Sequence, residues 1–261
     1  MDAFTFLGLE HVGDGRYRLP VTPDVATASK TIFGGAASAT VATITEHATE
    51  RPLIYSALAF PSTAFIDEVI DLVITPITVG RRVTNARVVA TKGENEPVFS
   101  ATVASGLPGE DDFTGRWSTP LQVPDVDECE PRQPREGTAD ARVEFRPARI
   151  RRGEQRSQPS PDGRFAMWLR IPDLDPGVAT VAKLGDYVNS FVGQSLGERA
   201  TTKSLDNALR VVERPTEEWV LLDVQIQAVA GGFAHGEGRL YSRSGDLLAI
   251  AQQTTTARPR R

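Results

Sequence analysis

A stretch of 37 residues occurs twice. EVIDLVITPITVGRRVTNARVVATKGENEPVFSATVA covers residues 68–104, and VLLDVQIQAVAGGFAHGEGRLYSRSGDLLAIAQQTTT covers 220–256. Asp71 is matched by Asp223, Gly80 by Gly232 and Gly93 by Gly245, each pair 152 positions apart. Both copies read as strand, glycine break, strand, polar turn with glycine, strand. TKGENEP and SRSGDLL read as hairpin turns in which glycine supplies a positive φ.

A helical segment precedes each copy. In the first half it is GGAASATVATITEHAT, residues 34–49, opened by two glycines. In the second it is PGVATVAKLGDYVNSFVGQ, residues 176–194, where Pro176 suits a start and Gly193 or Gly197 an end. Val181, Leu184, Val188, Phe191 and Val192 give it one apolar stripe at helical spacing. Residues 109–137 are rich in proline, glycine and charge and read as a linker. Strand candidates follow at 141–150 and 164–171. The segment 203–224, KSLDNALRVVERPTEEWVLLDV, reads as two strands about a turn at Arg214–Pro215, with Ser204 and Asp206 on one face of the first. The expected class is α+β, with one unit over residues 1–108, a linker over 109–140 and a second unit over 141–261.

The 261 residues are 40% hydrophobic and 24% charged, as in ordinary globular proteins. A net charge of −5 gives no electrostatic reason to expect nucleic acid. Cys129 is the only cysteine, so no intrachain disulfide forms, and its carboxylate neighbours argue against a nucleophilic thiol. His11, His47 and His235 have no zinc-site spacing, and no metal is expected. The first residues lack a signal-peptide pattern, and no apolar run reaches the roughly 20 residues of a membrane span. A cytoplasmic enzyme or binding protein is the expectation.

A long helix wrapped by a curled antiparallel sheet, occurring twice, is the description of a double hot-dog. The chain resembles the acyl-CoA thioesterase II family, whose members have that fold. IFGGAASA is similar to the family's entry to the first helix, and VEFRPARI and FAMWLRI to its second-unit opening. SLD, the RP turn, EWVLLDV and RSGDLLAIAQQ are similar to its C-terminal stretch, in the same order. The resemblance implies hydrolysis of acyl-CoA by direct water attack, a place in fatty acid metabolism, and no cofactor. It implies that Asp186, Ser204 and Gln253 are the reacting trio, with serine where the family has threonine. Other departures are the absence of histidine from LIYSALAFPS and the stretch NALRVVERP, where Asn207, Arg210 and Glu213 replace a segment holding histidine and aromatic residues.

Those residue types suit the chemistry. A carboxylate accepts a proton from water, and a hydroxyl and an amide each hold that water on its line of attack. Unpaired N–H groups at a helix start suit an oxyanion, which makes Gly34 and Gly35 candidate substrate-binding residues. Pattern alone is blander: Asp186 lies off the apolar stripe, as a solvated residue would, and Gly34–Gly35 is an ordinary turn into a helix. The repeat adds that Gln253 is matched by Ala101 and that the first helix has no carboxylate before Glu46. One site per chain is therefore expected, mainly in the second unit. RPARIRR, residues 146–152, is either a phosphate-binding run or a solvated strand end. Two rivals stand beside the hydrolase: a non-catalytic acyl-thioester binding or scaffold protein, and an enoyl-CoA hydratase, which wants a histidine near Asp186 that the sequence lacks. Exposed sheet edges make a homodimer possible.

Overall fold

The computed structural model describes residues 1–109 and 112–260. In chain order the elements are α1 (Ala3–Leu7), β1 (Glu10–Gly13), β2 (Arg16–Pro20), α2 (Gly34–Thr49), β3 (Leu53–Ala59), β4 (Val69–Val79), β5 (Val83–Lys92) and β6 (Glu96–Gly106). There follow β7 (Glu144–Arg149), β8 (Arg164–Arg170), α3 (Val178–Leu184), a 3₁₀ stretch (Gly185–Phe191), α4 (Val192–Leu196), β9 (Ala200–Ser204), β10 (Asp206–Val211), β11 (Val220–Ala230), β12 (Phe233–Tyr241) and β13 (Leu247–Pro259). The strands form one sheet in the order β1-β2-β4-β5-β6-β3-β10-β13-β12-β11-β8-β7, with β9 added on β13. Read from either end toward the middle, the two halves follow the same order. The repeat is therefore visible in the topology, and the glycine turns behave as expected: Gly93 has φ 51° and Gly245 φ 94°.

The halves meet where β3 and β10 pair antiparallel, from Asp206 opposite Ala59 to Arg210 opposite Tyr55. The sheet is continuous across this seam, and one hydrophobic core runs through both halves.

Helix α2 is buried along nearly its whole length, from Gly35 to Thr45, because its residues are small. It packs on α3 and on strands β3 and β6. Its buried threonine hydroxyls are satisfied internally: Thr40, Thr43 and Thr45 donate to the carbonyls four residues back, at 2.9, 2.8 and 2.7 Å, whereas the buried Ser38 Oγ has no partner among the described residues. The second helical segment differs from its sequence reading. It is not one helix but α, then 3₁₀ from Gly185, then α again, ending at Gly197 with φ 70°. The stripe Val181, Leu184, Val188, Phe191 and Val192 is buried as expected.

Small residues draw this segment down onto the sheet. A Cβ on Gly185 would lie 3.0 Å from Ala251 Cβ, and one on Gly236 only 2.7 Å from Val188 Cγ1. The linker reading changes too. Leu121 to Cys129 lie against the outer face of β8, β11 and β12, where Val126 and Cys129 share a cluster with Trp168, Leu221 and Tyr241. Trp168 Nε1 donates to the Pro124 carbonyl at 3.1 Å, and the Leu121 N–H to the buried Asp223 at 3.1 Å. The apolar residues among the prolines and acids cover aromatic surface that would otherwise be wet.

Candidate active site

The 3₁₀ stretch has three residues per turn, so positions three apart eclipse one another. Asp186 and Asn189 therefore stand on one edge, facing β9, β10 and β13. Asp186 is 1% exposed, so the solvated placement that its position off the stripe suggests does not occur. The stripe logic fails because α2 covers one side of the segment and the sheet the other.

Asp186 Oδ1 accepts from Asn207 Nδ2 at 3.0 Å and from Gln253 Nε2. The Gly35 N–H, at the start of α2, also serves this carboxylate. Burial nevertheless pushes the carboxyl up to about 7, against the opposing pull of these donors and of the Lys183 ammonium. Gln253 is 4% exposed. Its Oε1 accepts the Asn189 N–H at 3.2 Å, which leaves Nε2 facing Asp186 and, at 3.5 Å, Ser204 Oγ. Ser204 Oγ also accepts from Asn189 Nδ2 at 3.0 Å. The structure thus brings Asp186, Ser204 and Gln253 together.

Ser204 ends β9 and Asp206 begins β10, with the chain kinked at Leu205 between them. Asp206 Oδ1 takes the Thr254 N–H, and the Leu205 N–H donates to the Thr254 carbonyl at 2.9 Å. The kink is therefore tied to β13 beside Gln253. Asp206 supports the strand and makes no hydrogen bond with Asp186.

A cavity of about 590 Å³ opens on this network. Asp186, Asn189 and Ser204 line it from the second half, and Phe33 and Gly34 from the first. Gln253, Asn207 and Gly35 lie behind its wall. Gly34 leaves the space that Asp186 occupies, since a Cβ there would be 2.7 Å from Oδ2. Gly35 spends its N–H on the carboxylate.

Arg135 and Lys203 also line the cavity, both exposed and, among the described residues, in no ion pair. Three of the four RPARIRR arginines are used elsewhere: Arg146 donates to the Val126 carbonyl, Arg149 pairs with Asp162, and Arg151 donates to the Gln155 carbonyl. Among the described residues no cluster of ligating side chains is arranged for a metal.

Sequence reasoning missed Asn189 and Asn207 as site members. Asn207 lies in the stretch that departs from the family's pattern, yet it alternates inward with the buried Leu209. Asn189 was legible only with the 3₁₀ turn in hand. Lys183, one turn before Asp186, is wholly buried between the Phe6 and Phe33 rings and donates to the Ala139 carbonyl at 3.4 Å. That burial lowers it to about 8.

Residues 120–257 match the family model described as the acyl-CoA thioesterase C-terminal domain. Among solved structures, a thioesterase described as putative, from Novosphingobium aromaticivorans, is 30% identical over 95% of this chain and 97% of that one, with TM-score 0.83. A hot-dog protein of unknown function from Alicyclobacillus acidocaldarius is 18% identical over 100% of both chains, with TM-score 0.87. The tesB protein of Mycobacterium avium subsp. paratuberculosis is 19% identical over 98% of both, with TM-score 0.81. The last two are likenesses of fold alone. No curated protein matches the chain. With more than half its length inside the family model, the chain belongs to the acyl-CoA thioesterase family and is a thioester hydrolase with a hot-dog fold.

Proposed function

We propose that the protein hydrolyses acyl-CoA to the free acid and CoA by direct attack of water, at a single site built from Asp186, Ser204 and Gln253. The observation that carries this is the meeting of these three side chains, from a helix turn and two separate strands, with Asp186 and Ser204 lining one cavity and Gln253 directly behind them. Water oxygen bonds to the thioester carbon while its proton passes to Asp186. The tetrahedral oxyanion collapses, the C–S bond breaks, and the Asp186 proton passes to the departing sulfur. A carboxyl raised to about 7 is suited to both transfers near neutrality. Gln253 ties the carboxylate to the hydroxyl, so that Asp186 and Ser204 keep one relative placement. Gly34 gives the thioester a close approach to the carboxylate, and Arg135 and Lys203 offer positive charge to the phosphates of CoA.

The same reading takes the chain as a double hot-dog, with units at 1–108 and 141–261 joined by 109–140. The repeated strand order supports it. Purified protein assayed for thiol release across short, medium and long acyl-CoAs is expected to turn over at least one of them. No release from any, together with tight acyl-CoA binding, would transfer the site to a binding protein.

A further inference from the structure

We propose that Asn189 is a positioning residue that makes the Ser204 hydroxyl a hydrogen-bond donor to the thioester carbonyl. This rests on the hydrolase reading and assigns the two residues a task within it.

A backbone N–H only donates, so the Asn189 N–H fixes the Gln253 amide with Oε1 toward it. Nε2 has two protons, and both are committed, one to Asp186 Oδ1 and one to Ser204 Oγ. Gln253 thus offers no N–H to substrate, and it does not line the cavity.

Ser204 Oγ accepts from Gln253 Nε2 at 3.5 Å and from Asn189 Nδ2 at 3.0 Å. A hydroxyl has two acceptor lone pairs and one proton. With both lone pairs filled by amide protons, the O–H points away from both amides, into the cavity that Ser204 lines. A donor fixed before the reaction is what a developing oxyanion needs. Labour is then divided: Asp186 handles the water, Ser204 meets the carbonyl oxygen and keeps its proton throughout, and Asn189 sets the direction of that proton.

The test compares wild type, Ser204→Ala, Asn189→Asp and the double variant. Asn189→Asp is nearly isosteric, but its carboxylate accepts the Ser204 proton and turns it inward. The first readout is the infrared carbonyl stretch of a bound acyl-CoA ketone analogue, with CH₂ in place of sulfur. The second is kcat/KM for the most active acyl-CoA.

In wild type the stretch is expected at lower wavenumber than in water, and this displacement should vanish alike in all three variants. Each single substitution should cut kcat/KM by about 10²–10³-fold, the range for loss of one oxyanion donor. The double should be no worse than Ser204→Ala alone. An Asn189→Asp protein that keeps the displaced stretch, or a double variant whose losses multiply, would overturn the proposal. Hydrolysis by wild type with identical carbonyl stretches in wild type and Ser204→Ala would overturn it while leaving the hydrolase standing. A displaced stretch without hydrolysis of any acyl-CoA would do the reverse, and neither binding nor turnover would remove both.

Discussion

Gly34 leaves empty the space that the Asp186 carboxylate fills: a Cβ on Gly34 would lie 2.7 Å from Oδ2 and 2.9 Å from Oδ1. Gly34→Ala must therefore displace the carboxylate or the start of α2. The expected outcome is a large fall in kcat with a stability loss of about 1–3 kcal/mol, as for other overpacked sites. Steady-state kinetics beside urea denaturation separate the two. A variant with full kcat would mean that the carboxylate has room to move.

Asp186→Asn is expected to lower kcat by about 10²–10⁴-fold, the usual scale for a proton-transfer group. The wild-type rate should rise with pH through about 7, as the buried carboxyl ionises into its proton-accepting form. The Asn variant should lack this limb. A pH–kcat/KM profile checks both, and a limb surviving in the variant would belong to another group.

The same ionisation acts on stability with the opposite sense. The folded value, about 7, lies above the 3.8 of a free aspartate. The stabilisation is therefore complete below the lower value and is lost as pH rises through the upper one. Relative to Asp186→Asn, wild type should lose stability between about pH 4 and pH 7. Denaturant midpoints at the two ends of that window measure the difference.

Lys183→Met removes a buried ammonium from between two phenylalanine rings. Because burial already lowers this lysine to about 8, an apolar side chain of similar length should raise the melting temperature at neutral pH. Lys183 also draws the Asp186 value down, so the activity limb should move to higher pH in the variant. Higher stability with an unmoved limb would show that the two groups do not couple.

Cys129 should be chemically quiet. Burial first, then the charges of Glu128 and Asp125, hold its thiol above the ordinary value. Thiol reagents should label it slowly, and Cys129→Ser should leave turnover unchanged. Inactivation in step with labelling would contradict a water-attack mechanism.

Where side-chain pattern and backbone requirement agree, the chain was readable. α2 runs from Gly34 to Thr49 as its glycines and alanines predict, and β4 and β11 keep the glycine-marked repeat. The trio of Asp186, Ser204 and Gln253 was legible only through resemblance, because nothing local marks a buried aspartate. Burial here comes from packing on both sides by segments remote in sequence. Asn189 depends on a switch from α to 3₁₀ geometry at Gly185, which side-chain periodicity does not reveal. The packing of Leu121–Cys129 was hidden by its acidic and proline-rich composition, although Val126 is fully buried. The β1–β2 hairpin went unread, being only four and five residues long.

The pairing of β3 with β10 has a consequence for dividing the molecule. A chain cleaved between its halves would leave each fragment with a raw, hydrogen-bond-hungry border, and the carboxylate-bearing fragment would lack the helix that shelters its carboxylate. Mixed together, they have a ready-made zip along which to find one another.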